Sequence, residues 1–145
     1  MKKMFIQGIC LWMLFGYVGS LTANDQKGSL KIQIIGIPFE KGEIVVYLYN
    51  KDEKLFGEKG LVLKSKITKD KANVTFENVT FDEYAVFVYQ DENLNGKLDH
   101  RFFIPAEPMG FSNDFRPTFF TGKPKFSDLK FEFNHDMDMI IKMNK

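Results

Sequence analysis

The stretch YAVFVYQ, Tyr84–Gln90, decides how the chain is read. It is short, rich in β-branched and aromatic residues, and apolar on both faces, so it reads as a strand covered on both sides. Gly42–Asn50, GEIVVYLYN, has the same character and reads as a second central strand. Around these two the pattern changes to alternation. In Ser29–Ile37, SLKIQIIGI, Leu30, Ile32 and Ile34 fall on one side, and Lys31 and Gln33 on the other. Ala72–Val79 sets Val74 and Phe76 against Asn73, Thr75 and Glu77. Leu61–Ile67 is a weaker strand. Leu129–Asn134, with Leu129, Phe131 and Phe133 aligned, and Met137–Met143 complete the series. Pro38, Lys41-Gly42, Gly57, Gly60 and Lys69-Asp70-Lys71 supply the punctuation. No segment keeps a helical period over three turns. About seven short strands separated by turn signals predict an all-β fold, a single immunoglobulin-like or transthyretin-like β-sandwich. Its core is expected to contain Ile44, Val46, Phe76, Val86 and Val88.

The stretch Arg101–Ser127, after the fifth strand, does not alternate, yet it holds Phe102, Phe103, Phe111, Phe115, Phe119, Phe120 and Phe126. Disordered segments are poor in aromatics. The expectation is therefore a long ordered loop folded over one end of the sandwich, with Phe111 packed inward. The same loop could line an apolar groove.

At the N-terminus, Lys2 and Lys3 precede an uncharged run, MFIQGICLWMLFGYVGSL, that ends at Leu21-Thr22-Ala23 and gives way to polar Asn24-Asp25-Gln26-Lys27. This reads as a signal peptide over 1–23 and a mature domain over 24–145, exported to the periplasm or secreted. The only cysteine, Cys10, lies mid-run rather than at its end, which argues against lipidation there and leaves the mature chain without a thiol. The full chain carries 20 basic and 19 acidic residues, net +1. Without Lys2 and Lys3 the balance is eighteen to nineteen, net −1. Near-neutrality argues against an electrostatic nucleic-acid binder and gives no polybasic membrane patch. The mature chain is expected to have no membrane span and to be a monomer. About 120 residues are enough for one real core.

Directly after YAVFVYQ comes DENLNGKLD, Asp91–Asp99. Asp91, Asn93 and Asn95 stand at positions 1, 3 and 5 of a calcium loop. Gly96 stands at the sharp turn, the Lys97 carbonyl at position 7 and Asp99 at position 9. Calcium takes six to eight hard oxygens, which this spacing begins to supply. Position 12, a bidentate glutamate in an EF-hand, is Phe102, and the loop follows a strand rather than a helix. The loop is similar instead to calcium loops of extracellular bacterial β-domains, and Glu107 or Asp114 would have to complete the shell. The expected cofactor is a structural calcium ion. Against this stands a plain polar turn, with Asx-turns from Asn and Asp and a positive φ at Gly96. His100 and His135 have no partner at zinc-like spacing. Asn73-Val-Thr75 and Asn78-Val-Thr80 match a glycosylation sequon, which would mean little in a bacterial protein. Neither a G-x-S-x-G nor a Cys–His arrangement occurs, and the chain is read as a non-enzyme.

YAVFVYQDENLNGKLD, then IPAEPMGFSND, then FSDLKFEF resemble, in this order, the bacterial secreted family catalogued as domain of unknown function 2141. The resemblance covers Ser29–Met143 and implies a signal peptide followed by one β-sandwich. Asp91, Asn93, Asn95, Gly96 and Asp99 match its D-x-N-x-N-G-x-x-D motif. Pro105, Glu107, Gly110, Phe111, Ser112 and Asn113 match its P-x-E-x-x-G-F-S-N motif. Phe81-Asp82-Glu83 replaces the glycine turn common before the central strand. The family carries no assigned activity, so the resemblance implies fold and site but not role. Three functions follow: a calcium-stabilised exported protein acting in binding or envelope structure with a protein or envelope component as partner, a small-ligand-binding module using loop 101–127, or a hydrolase with an unrecognised site.

Overall fold

Two strands with no solvent-facing side need a covering layer on each face, and the architecture supplies both. The computed structural model describes residues 26–102, 104–118 and 120–144. The signal-peptide expectation for 1–23 lies outside the described residues, as do Phe103 and Phe119. The strands are β1 Lys27–Ile35, β2 Glu43–Asn50, β3 Leu61–Lys66, β4 Lys71–Thr80 and β5 Asp82–Asp91. The short β6 His100–Arg101, β7 Ile104–Pro105 and β8 Met109–Phe111 follow, then β9 Phe131–Phe133 and β10 Met137–Lys142. A 3-10 turn, Ser112–Asp114, and a one-turn helix α1, Phe126–Leu129, interrupt the series.

The chain is an all-β sandwich. One sheet has the order β10-β1-β4, with β1 and β10 parallel and β1 and β4 antiparallel. The other runs β3-β2-β5-β8, and β9 also pairs with β5. Between the sheets lie Leu30, Ile32 and Ile34 of β1, Val74 and Phe76 of β4, Ile44, Val46 and Leu48 of β2, and Val86 and Val88 of β5. The five core residues expected from the sequence are all buried. The alternation of β1 and β4 has its ordinary cause, since their far face carries exposed Lys31, Gln33, Asn73 and Glu77.

The outer face of the second sheet bears Val45, Tyr47 and Tyr49 from β2 and Ala85, Phe87 and Tyr89 from β5. Phe111 of β8 extends this face, and Phe115, Phe126, Leu129, Leu98, Leu55 and Phe56 pack over it as a second apolar cluster. The rings form a continuous array: Phe87 stacks on Tyr89 at 5.8 Å and on Phe111 at 5.4 Å, and Phe56 meets Phe87 edge-on at 5.1 Å. The Phe-rich segment thus covers a sheet face, where the sequence suggested one end of the sandwich. Phe111 is buried, as expected, whereas Phe102 and Phe120 are 89% and 94% exposed. Leu129 also departs from its predicted place. It ends α1 and packs in the outer cluster, whereas Phe133 packs in the inner one. A helical turn broke the apparent alignment of Leu129, Phe131 and Phe133.

The edge beside β5 is made of two half-strands. β8 pairs with Phe87–Tyr89 and β9 with Asp82–Tyr84, leaving a gap at Val86. The buried Ser112 hydroxyl fills it, accepting from the Val86 N–H at 3.0 Å and donating to the Leu129 carbonyl at 2.6 Å. Asn113, in the left-handed region at φ 58°, donates from its amide to the Lys130 carbonyl at 2.8 Å. Among the described residues no helix is long and apolar enough to cross a membrane.

Candidate functional site

β5 ends in Asp91 on the outer face, and the chain must leave the sheet there without orphaning its amides. Asp91 is fully buried. Its Oδ1 accepts the Asn95 N–H at 3.1 Å and its Oδ2 the Gly96 N–H at 2.7 Å, which winds the loop around the carboxylate. Gly96 takes φ +74°, the conformation that favours glycine. Asn93 Oδ1 accepts from the Asn95 N–H at 3.1 Å, and Asn95 Oδ1 accepts from the Lys97 N–H at 2.8 Å. These are Asx-turns. The amide nitrogens of Asn93 and Asn95 donate to the two oxygens of Asp99, at 2.7 and 3.0 Å. Leu98 anchors the loop in the outer cluster. The start of β2 presses against the loop's entrance, where a Cβ on Gly42 would fall 1.9 Å from the Asp91 carbonyl oxygen.

Glu107 closes the loop from outside. It is 7% exposed, and its two oxygens accept from the Glu92 N–H at 3.0 Å and the Asp99 N–H at 3.1 Å. It therefore bonds the backbone at both ends of the loop. The Ala106 N–H adds a bond to the Asp99 carbonyl at 2.8 Å. Asp114, the other candidate distal ligand, sits in the 3-10 turn, apart from the hydrogen bonds that close the loop. Phe102 points its ring to solvent, and His100 is exposed in β6.

Asp91 and Glu107 are buried carboxylates without an ion pair among the described residues, their charge met by backbone N–H groups. Both charges reach Tyr89, whose hydroxyl is pushed up first by burial, then by Tyr47, and after that by Asp91 and Glu107. The donor set is all hard oxygen: Asp91, Asp99, the Asn93 and Asn95 side chains and the Lys97 carbonyl. That chemistry suits calcium and not zinc. As the side chains stand, no three His, Cys, Asp or Glu groups among the described residues converge tightly enough to hold a metal ion. At Asp99 both asparagine amides present nitrogen, and turning them over to present oxygen would cost the Asx-turn bonds that Asn93 Oδ1 and Asn95 Oδ1 accept from the backbone. Glu107 and Asp91 alike have both oxygens on backbone N–H groups, so each braces the loop as it stands.

Beside the loop, between the sheet's outer face and the segment around 117–124, lies a cleft of about 660 Å³. Phe87, Met109 and Phe111 line it from the sheet, and Phe56 and Leu98 from the flanking loops. Glu107 and Lys123 are its charged members. The motifs in the sequence point to Glu107 but carry no signal for Phe56 or Lys123, because their convergence depends on how two long loops cross the sheet.

A β-sandwich whose central strand runs into a self-bonded Asx loop, and whose outer face is roofed by aromatic loops around a cleft, is the class that fold and site define. A family model described as an uncharacterized protein conserved in bacteria, DUF2141, matches residues 32–141, and the chain belongs to that family. No curated protein and no solved structure matches it.

Proposed function

We propose that this is an exported, monomeric, non-catalytic binding protein that takes a small, mainly apolar ligand in the outer-face cleft. The periplasm or the cell exterior is its place, and calcium held by Asp91, Asn93, Asn95, Lys97 and Asp99 stiffens the wall of the cleft. The observation that carries the reading is the cleft itself. Its volume of about 660 Å³ and its aromatic lining are those of small-molecule sites, which are largely apolar with a few placed polar groups. A purely structural protein has no need of such a space. Leu98 and Glu107 belong to both loop and cleft, so an ion that fixes the loop also fixes the cleft. The charged groups of the cleft are a lysine at the rim and a glutamate already bonded to two N–H groups. That supports binding over hydrolysis, which needs a nucleophile and a base within reach of each other.

Heteronuclear NMR of the mature protein, titrated with 1-naphthalenemethanol in millimolar calcium, tests the reading. Saturable shifts concentrated at Phe87, Met109, Phe111 and Leu98 are expected. Shifts that stay linear to the solubility limit, or that scatter over both sheets, would overturn it.

A further inference from the structure

The cleft has one charge to spare. Its two charged liners differ in what they already hold. Glu107 directs both oxygens into backbone N–H groups of the neighbouring loop. Lys123 holds no carboxylate among the described residues. The ion pairs among the described residues are Lys51 with Asp82, Lys64 with Glu43 and Lys130 with Glu83. The Lys123 ammonium lies instead over the ring of Phe56, with Nζ 4.6 Å from the centroid. A ring face attracts a cation but accepts no strong hydrogen bond from it, so the ammonium keeps donors for an anion. Phe56 itself is fixed by edge contacts to Tyr49 and Phe87, at 6.4 and 5.1 Å, which places the cation at the edge of the aromatic floor. Glu107 offers acceptors only, and a ligand donor would compete there with two N–H groups.

On this charge complementarity the geometry points to one ligand class: an apolar chain or ring system bearing a single carboxylate. The apolar body lies on Phe87, Met109 and Phe111, and the carboxylate meets Lys123. This rests on the cleft being a binding site, as proposed above, and adds the sign of the ligand's charge and the residue that reads it. A lysine reads carboxylate as a point charge and not bidentately, so the selection is for charge more than for head-group shape.

The test compares decanoate with decanol, which share a tail and differ in charge, by calorimetric titration of the mature protein at neutral pH below their micelle and solubility limits. Decanoate should bind about tenfold more tightly than decanol, the size of a charge-assisted hydrogen bond at a partly exposed site. Lys123→Met should abolish that preference by weakening decanoate about tenfold, to the level of decanol, and Lys123→Arg should keep it. If both compounds bind equally and Lys123→Met alters neither, the inference is overturned and the cleft reading stands. If neither binds, the cleft reading falls and takes the inference with it.

Discussion

Ser112 is the residue on which the edge of the second sheet turns. It is 1% exposed, and its hydroxyl serves the Val86 N–H and the Leu129 carbonyl, the two groups left over where one half-strand stops and the next begins. Ser112→Ala leaves both buried and unpaired, at about 1–3 kcal/mol for each unsatisfied group. A urea midpoint corresponding to about 2–4 kcal/mol lower stability is expected, with no change in the denaturant slope. A loss well under 1 kcal/mol would mean that the two half-strands close their own gap. Tyr49 acts at the same scale but at the other end of the pH range. Burial, helped by Tyr47 and Glu53, pushes its hydroxyl up to about 12 from the ordinary 10.0. The unfolded chain therefore loses this proton first, between pH 10 and 12, and the native state is destabilised as pH rises through that window. Below pH 10 the group costs nothing. The melting temperature should fall over that window, and Tyr49→Phe should flatten part of the fall. The variant gives up the 3.2 Å bond from the hydroxyl to the Gly57 carbonyl, about 1 kcal/mol at neutral pH. Tyr84 and Tyr89, also raised by burial, leave a residual alkaline slope.

At the scale of the element, the Asp91, Asn93, Asn95 and Asp99 side chains are all hydrogen-bonded within their own loop, and this decides how calcium should be sought. The loop offers two carboxylates and neutral amides, which sets its affinity near the roughly 0.1–1 mM of extracellular calcium modules. With a dissociation constant of about 0.1 mM, 1 mM calcium adds about 1–2 kcal/mol by linkage. The melting temperature should then rise by about 5–10 °C over its value in chelator. Asp91→Ala cannot by itself identify a ligand, because it also frees the Asn95 and Gly96 amides and lowers the baseline. Asp99→Asn is the sharper variant, since it removes charge with little change of shape; it gives up one of the two exposed amide bonds to Asp99, a smaller baseline loss than Asp91→Ala, and should cancel the calcium shift. If calcium and chelator give the wild type the same melting curve, the loop is a polar turn held by its own amides.

At the scale of the molecule, three layers are stacked where a sandwich has two. The sheet of β3, β2, β5 and β8 lies in the middle, with the β10-β1-β4 sheet on one face and the aromatic loops on the other. This explains the two strands from which the fold was read. β2 and β5 are apolar on both faces because each face meets a different cluster, and β1 and β4 alternate because one of their faces meets water. The loops close the outer layer only in part, and the cleft is the part left open.

Alternation and its absence are properties of neighbouring residues, so the long strands, the inner core and the turn at Gly96 follow from the sequence alone, whereas β7 and β8, inside the stretch read as a loop, do not. So does the set of oxygens in Asp91–Asp99, because that spacing is local. Leu129 is the instructive exception, where local alternation mimicked a strand and the packing of Phe126–Leu129 as a helical turn prevailed. Other features belong to tertiary structure. Glu107 bonds both ends of a loop that precedes it, Ser112 joins β5 to the end of α1, and Phe56 meets Lys123 across the length of the chain. Each depends on contacts between residues far apart in sequence, which spacing cannot encode. The cleft depends on all of them, because its shape is set by where folded loops fail to touch.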